Sequence, residues 1–392
     1  MNRILFASQS YITGESRKKL AYFAVQLGYA VGLIVPTTWE HDAFGRYEFQ
    51  PSEADRPLSI FPIPIRNTGR VFAFSYALAP VWRAIQQFRP DIIQAEQEPG
   101  SFSLLQLMVL ARLQRRAKLI AFTWENLGYR QPGIRHYLER IELAQLDYLL
   151  VGNTAGLGVF RQKGYRGPLA VVPNVGVDPD RFSPRFVSAL RESLGLSPQF
   201  VVGFVGRLVS EKGCPDLLEA FAGLPTDCQL LFVGGGELRD SLEQQARGLG
   251  LADRVTFQPT VPHSEVADYM NCLNCLVLPS RTVPNGWREQ FGLVLAQAMA
   301  CGVPVIGSNS GAIPEVIADA GLIFPEGDVA ALREAIIRLR DDATLRAELG
   351  ARGRARVLAH YTHQRIAEQT AAIYRELLAH TRDQSTLDST ND

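Results

Sequence analysis

Phe200-Val201-Val202-Gly203-Phe204-Val205-Gly206-Arg207-Leu208-Val209-Ser210-Glu211-Lys212-Gly213-Cys214-Pro215 is the stretch that decides the fold. Phe200–Val205 is a near-continuous apolar run that reads as a strand, a loop follows, and a helix opens at Pro215, a favoured first helical position. The same strand–loop–helix alternation recurs in both directions. Downstream, Gln229–Val233, Arg254–Phe257, Leu276–Pro279, Pro304–Gly307 and Leu322–Phe324 read as strands, and 329–380 as helices. Upstream, Arg3–Ser8 reads as a strand, Ser16–Leu27 as an amphipathic helix ending at Gly28, and Ala30–Pro36 as a second strand bounded by proline. Asp91–Ala95, Leu119–Phe122, Leu149–Gly152 and Ala170–Val172 repeat the form. Repeated βα units with apolar strands imply parallel, doubly wound sheets.

A chain of 392 residues is too long for one ordinary core. The alternation loosens in the turn-rich stretch Pro173–Gly195 and then restarts, which suits a domain boundary. The expected organisation is two Rossmann-like domains, 1–180 and 181–360. A C-terminal helix at about 361–380 would pack back on the first, followed by a frayed polar tail at 381–392.

Forty Lys+Arg balance forty Asp+Glu, which argues against a general nucleic-acid binder. The zero hides a split: residues 1–175 hold 20 basic and 13 acidic side chains, and 176–392 hold 20 and 27. Lysine is rare, five against 35 arginines. No apolar run approaches the roughly 18 residues a membrane span needs, and the N-terminus reads as a strand rather than a cleavable signal. A cytoplasmic protein is the expectation. The five cysteines, Cys214, Cys228, Cys272, Cys275 and Cys301, are an odd number without a second CxxC. They read as small core residues rather than a zinc or redox site. His360 and His363 have no carboxylate or thiol nearby in the sequence, so no metal is expected there.

Three segments carry chemistry. Trp287-Arg288-Glu289-Gln290-Phe291-Gly292-Leu293 leads into a helix that stops at Cys301-Gly302. Free N–H groups near Phe291–Leu293, with the helix dipole, would welcome a phosphate. Glu289 and Gln297 are eight positions apart, which on a continuous helix puts both toward one cleft. Gly206-Arg207…Lys212-Gly213 follows a strand at the carboxyl end, where ligands of open parallel sheets bind. Arg207 and Lys212 there are two cations suited to a diphosphate; a solvated basic loop is the alternative. Gly234-Gly235-Gly236 would let backbone approach a ligand, or simply make a tight turn. Neither half holds GxGxxG between strand and helix, which counts against a dinucleotide dehydrogenase.

In this order the segments resemble the retaining nucleotide-sugar glycosyltransferases of GT-B fold, glycosyltransferase family 4. The likeness includes Val172-Pro173-Asn174…Val177-Asp178, Gly206-Arg207…Glu211-Lys212-Gly213, Gly234-Gly235-Gly236 and Leu278-Pro279-Ser280. It continues through Glu289-Gln290-Phe291-Gly292, Gly302-Val303-Pro304-Val305 and Gly311…Pro314-Glu315. The resemblance implies two Rossmann-like domains facing across a cleft. It implies a hexosyl group moved with retention, without metal or cofactor, from a nucleotide-diphosphate sugar to a glycan, lipid-linked or small-molecule acceptor. Arg207 and Lys212 would stabilise the leaving diphosphate, and Glu289 would hydrogen-bond the donor sugar. The amides around Gln290, Phe291, Gly292 and Leu293, with the loops at Gly206 and Gly235, would hold sugar and phosphate.

The sequence departs from that pattern in two places. The second acidic position of E-x7-E, which contacts the ribose in relatives, is Gln297, a weaker uncharged acceptor. A histidine common after the strand at Asp91–Ala95 is replaced by Glu96 or Gln97, depending on the register. Glu96 and Glu98 could bind acceptor hydroxyls or serve as a base; capping of a helix N-terminus is the alternative. A face for an anionic membrane or a phosphate-linked lipid is read from Arg17-Lys18-Lys19, Arg112, Arg115, Arg116 and Lys118, with Phe72, Phe74, Tyr76, Trp82 and Phe88. That would place the protein peripherally at the inner face of the cell membrane. The alternative is a solvated helix face over an aromatic core. The competing functions are a GT-B-like epimerase or phosphorylase, and a non-catalytic nucleotide-sugar-binding partner.

Overall fold

The computed structural model describes residues 1–392 except 42–44, 115–116, 197–198, 284–285 and 389–392; at 41 and 380–388 only the backbone is described. Arg115 and Arg116 of the basic set therefore lie outside the described residues. The chain divides into two compact units, Met1–Gly176 with His363–Asp392, and Val177–Thr362.

The first unit is built on β1 (Arg3–Ala7), α1 (Gly14–Val25), β2 (Ala30–Pro36), a hairpin of β3 (Thr38–His41) and β4 (Gly45–Glu48), β5 (Leu58–Ile63), and a short pair β6 (Ile65–Arg66) and β7 (Ser75–Tyr76). It continues through α2 (Leu78–Phe88), β8 (Ile92–Ala95), α3 (Phe102–Gln114), β9 (Lys118–Thr123), α4 (Ile134–Gln145), β10 (Tyr148–Val151), α5 (Thr154–Gln162) and β11 (Leu169–Val171). Seven strands form one parallel sheet in the order β11-β10-β9-β8-β1-β2-β5. Strands β8, β10 and nearly all of β1 and β9 are buried, because helices cover both faces. The sequence pattern alone does not show a strand at Leu58–Ile63. Pro62 masks the signal there, and it is tolerated because β5 is the edge strand, where one side needs no ladder donor.

Helix α1 runs Gly14–Val25, starting and ending two residues before the expected span, and it is scarcely amphipathic. The reason is that it is covered on both sides. Arg17 is fully buried, its guanidinium bridging Asp55 (2.6 Å), the Gln50 carbonyl and the carbonyls of Tyr11 and Ile12. The last helix, α14 by chain order (His363–Asp388), packs against α1. Its Tyr374 sits in an aromatic cluster with Phe23 (5.7 Å) and Tyr29 (5.9 Å). It is helical through Asp388, where a frayed tail was expected from 381.

The second unit runs α6 (Ser188–Ser193), β12 (Phe200–Val205), α7 (Cys214–Ala222), β13 (Cys228–Val233), α8 (Arg239–Gly248), β14 (Val255–Gln258), α9 (Val266–Asn271) and β15 (Cys275–Leu278). Then come α10 (Leu293–Ala300), β16 (Val305–Ser308), α11 (Ile313–Ile317), β17 (Leu322–Phe324), α12 (Val329–Asp341) and α13 (Ala343–His360). Its sheet is also wholly parallel, in the order β14-β13-β12-β15-β16-β17. The order reverses beside β12, and loops after β12, β13 and β15 gather at the carboxyl edge around that switch point. All five cysteines are buried free thiols, and burial pushes Cys272 up to about 11 and Cys301 up to about 12. Among the described residues no helix is long and apolar enough to cross a membrane.

Candidate active site

Two glycine loops of the second unit interlock at the ends of β12 and β13. The Leu208 N–H donates to the Gly235 carbonyl at 2.8 Å, and Leu238 N–H donates to the Leu208 carbonyl at 3.0 Å. A Cβ on Gly234 would stand 2.0 Å from the Gly206 carbonyl oxygen, and one on Gly236 would stand 2.4 Å from that of Leu208. Both have positive φ, 139° and 153°. The glycines are needed for the close approach of two backbones, which is more than a tight turn requires.

The loop after β12 then carries a 3-10 turn, Ser210–Lys212, ended by Gly213 at φ 67°. A Cβ on Gly213 would meet the Pro279 carbonyl at 1.9 Å, so only glycine allows this turn to rest on the end of β15. The contact brings Lys212 to Glu289: Nζ lies 2.6 Å from Oε2. Ser280 Oγ donates to the same oxygen at 2.9 Å. The Lys212 ammonium also lies 4.9 Å from the centre of the Trp287 ring. Arg207 is part-exposed on the same loop and pairs with Glu211 at 3.3 Å.

Glu289 is held from behind as well. Its carbonyl accepts from Ala312 N–H at 2.9 Å, and Gly311 crosses it so closely that a Cβ would be 1.9 Å away. The loop after β16 therefore clamps this residue's backbone while Lys212 and Ser280 fix its carboxylate. Helix α10 begins only at Leu293, because Gly292 takes φ 79° at its N-cap. Glu289 lies in the loop before it, so the continuous-helix geometry for Glu289 and Gln297 does not apply. Gln297 is buried within α10. Phe291 is buried edge-on against Tyr361, ring centres 5.5 Å apart, which anchors the loop that presents Gln290 and Gly292. The first amides of α10 open beside the glycine cap, with the positive end of the helix dipole. Two cations, a clamped carboxylate and a helix N-terminus lie on neighbouring loops of this unit, and their chemistry suits a diphosphate carrying a hydroxyl-rich group.

In the first unit Glu96 and Gln97 are buried and engaged by neighbouring side chains. Glu96 is buried and accepts from Tyr11 OH (2.6 Å), Lys19 Nζ (3.1 Å), Gln94 Nε2 (3.2 Å) and Asn174 Nδ2 (3.2 Å). Burial and the Glu96 charge push the Tyr11 phenol well up, which keeps it a donor. Gln97 bonds Tyr76 OH and Ser103 Oγ. Glu98 accepts from the Thr123 hydroxyl and, at 3.1 Å, from Trp124 N–H; burial raises its carboxyl. Beside it lies a group that sequence reasoning missed. Lys163 Nζ sits 2.6 Å from Glu125 and 2.5 Å from Glu139, and Glu142 is fully buried next to them on α4. Burial pushes Glu125 up to about 7 and Glu142 up to about 8. The scarcity of lysine pointed to Lys163 no less than to Lys212.

The membrane face read from sequence is corrected. Arg17 and Lys19 are buried, and Lys18 pairs with Glu15. Phe74, Tyr76 and Phe88 are core, while Phe72 and Trp82 are half-buried. Lys118 pairs with Asp147, leaving Arg112 as the exposed cation of that set among the described residues. No group of three or more metal-ligating side chains occurs among the described residues.

Comparison with known proteins agrees with this geometry. The family described as glycosyl transferases group 1 matches residues 187–356, which contain every second-unit site residue named above except the buttress Tyr361. The chain is 32% identical over 287 residues to the GDP-mannose-dependent monoacylated alpha-(1-6)-phosphatidylinositol monomannoside mannosyltransferase of Corynebacterium glutamicum, covering 70% of this chain and 74% of the relative. It is 34% identical over 270 residues to the GDP-mannose-dependent alpha-(1-6)-phosphatidylinositol monomannoside mannosyltransferase of Mycolicibacterium smegmatis, covering 63% and 68%. Among solved structures, sucrose-phosphate synthase from Thermosynechococcus elongatus superposes with a TM-score of 0.70 at 25% identity over 97% of this chain and 100% of that one. Anabaena HepE in complex with UDP and glucose gives 0.72 at 23% identity, over 96% and 100%. The chain belongs to the glycosyl transferases group 1 family: it has the GT-B fold of two parallel-sheet Rossmann-like domains and is a glycosyltransferase that uses a nucleotide sugar.

Proposed function

We propose that the protein transfers a hexosyl group, mannosyl first among the candidates, from a nucleoside-diphosphate sugar to a hydroxyl of a glycan or lipid-linked acceptor, with retained anomeric configuration and without a divalent metal. The observation that carries this is the Lys212–Glu289–Ser280 arrangement beside Arg207. As the glycosidic bond breaks, charge grows on the β-phosphate. Arg207 and Lys212 would meet it in a fixed position, supplying the stabilisation that a metal supplies elsewhere. Glu289, its Oε2 already engaged, keeps acceptor capacity for donor-sugar hydroxyls and is poorly free to act as a nucleophile. That supports same-face attack assisted by the leaving diphosphate. The mannosyl reading rests on the GDP-mannose dependence stated for the two relatives above.

The test is turnover of GDP-mannose, and of UDP- and GDP-linked alternatives, with phosphatidylinositol mannosides and simple mannosides as acceptors. Activity unchanged by EDTA and a product with the donor's anomeric configuration by NMR are expected. A nucleotide sugar epimerised without acceptor, dependence on free phosphate, or binding with no turnover of any donor would overturn the reading.

A further inference from the structure

Three of the five lysines are held in one way, each by a carboxylate and an aromatic ring. Lys19 has Glu96 at 3.1 Å and the Tyr11 ring centre at 5.4 Å. Lys163 has Glu125 and Glu139, with the ring centres of Tyr129 and Phe160 at 5.2 and 5.3 Å. Lys212 has Glu289 and, at 4.9 Å, the ring of Trp287. It differs from the other two in two respects. Its side chain is 17% exposed, against 3% and 11%, so part of it still meets solvent. Its ring is also tryptophan, the aromatic side chain that attracts a cation over its face most strongly.

The segment that carries Trp287 is tied down on both sides of it. Arg281 N–H donates to the carbonyl of Glu211, the residue before Lys212, at 2.9 Å, and its guanidinium grips both carboxylate oxygens of Asp216 on α7. Thr282 donates twice to Glu326 Oε2, from its N–H at 2.9 Å and from its hydroxyl at 3.0 Å. Val283 N–H donates to the Trp287 carbonyl at 2.9 Å, and two residues further on Glu289 is clamped by Gly311 and Ala312. The half-buried indole therefore rests on anchored backbone where it meets the lysine.

The two contacts of Lys212 respond differently to a diphosphate. Glu289 is a counter-ion, and phosphate oxygens compete with it for the ammonium. The ring carries no net charge, so it attracts the ammonium whichever anion is its partner. Its apolar body also keeps water from that flank, and a lower local dielectric strengthens the charge pair that forms there.

We propose that Trp287 is a positioning residue, which holds the Lys212 ammonium in place while the Glu289 carboxylate is exchanged for the leaving diphosphate. This rests on the reading of Lys212 as a cation for that diphosphate. The ring makes and breaks no bond. Its effect reaches the reaction through Lys212 and is largest where charge grows on the phosphate.

The test has a ligand-free arm and a kinetic arm. Subtracting the emission of Trp287→Phe from that of the parent isolates Trp287 from Trp39, Trp82 and Trp124. Lys212→Met keeps the stem and removes the charge, so the same difference taken in that background should change in wavelength and intensity; an unchanged Trp287 component overturns the proposal. Kinetics use GDP-mannose, or whichever UDP- or GDP-linked sugar the parent consumes. Trp287→Leu should lower kcat about five- to thirtyfold and Trp287→Phe, which keeps a weaker ring, about two- to fivefold, with donor KM within about twofold of the parent. In the Lys212→Met background Trp287→Leu should cost nothing further. Equal losses in the Leu and Phe variants that follow the unfolded fraction would make the ring simple packing and overturn the proposal. A loss undiminished in the Lys212→Met background would mean that the ring touches the donor itself, and overturns it too. Impaired Lys212→Met beside unimpaired Trp287 variants would overturn this proposal alone, whereas Lys212→Met with parental kcat and donor affinity would overturn the diphosphate reading beneath it.

Discussion

Lys212 Nζ stands 2.6 Å from Glu289 Oε2, joining the loop after β12 to the loop before α10 across 77 positions of sequence. The pair orders the site before a ligand arrives, and it sets up a competition: a bound diphosphate draws on the same ammonium. Removing either residue therefore changes two things, the charge at the phosphate and the orientation of the partner.

Lys212→Ala and Glu289→Ala should each lower kcat about 10²- to 10³-fold, the cost of losing one preorganised electrostatic contact. The double variant should fall well short of the product of the two losses, because the residues act as a unit. Steady-state kinetics of the three variants checks this, and multiplicative losses would show that the pair is not coupled.

Gly311→Ala leaves every polar site group in place but puts a methyl 1.9 Å from the Glu289 carbonyl oxygen, at a backbone φ of 55°. The clamp must open. A stability loss of about 1–3 kcal/mol is expected from strain at such a position, together with a fall in kcat larger than the unfolded fraction explains. Denaturant titration beside kinetics at a temperature where the variant is folded separates the two.

Glu96 joins the 3-10 turn at Gln9–Ile12, α1, β8 and Asn174 through one carboxylate. Glu96→Ala would leave Lys19 buried with the Asn174 carbonyl but without its carboxylate, and should cost about 3–5 kcal/mol. Acceptor KM measured on the folded fraction should stay near the parent value. A large KM change at unaltered melting temperature would instead make Glu96 an acceptor contact.

Burial holds the Glu142 carboxyl at about 8 in the folded chain, opposed by the Gly100 N–H that donates to it and aided by repulsion from Glu139. Unfolded, it returns to the ordinary 4.5. Between those values the folded state binds the proton that the unfolded state has lost, so this contribution is full at acid pH and disappears as pH rises through about 8. Glu142→Gln can keep the bond from Gly100 and does not titrate. Its melting temperature should gain on the parent's as pH rises from 5 to 9, and a difference independent of pH would refute the assignment.

The donor-side loops were readable in the chain because their chemistry is local. Gly206–Gly213, Gly234–Gly236 and Glu289–Gly292 each follow a strand, and topology sends the carboxyl ends of neighbouring parallel strands to one edge. Why those glycines are glycines was not readable: Gly213 answers to Pro279, Gly234 to Gly206, Gly311 to Glu289. The first unit misled more. Arg17 and Lys19 look like a solvated helix face, and only the partners that the fold brings to them, Asp55 and Gln50 for Arg17 and Glu96 and Asn174 for Lys19, make them internal.

By itself, then, the sequence determined the two parallel doubly wound sheets and the order of the donor-site segments. Apolar strand runs, helix punctuation and glycine-bounded loops are properties of a few adjacent residues. Tertiary structure alone decided which charges face inward. Burial of Arg17, Lys19, Glu96, Glu139 and Glu142, and exposure of Ile134, Tyr137 and Ile141, depend on what the sheet and the helices around α1 and α4 leave uncovered. Side-chain polarity does not predict that when the fold supplies a partner from elsewhere in the chain, as Asp55 meets Arg17 and Lys163 meets Glu139.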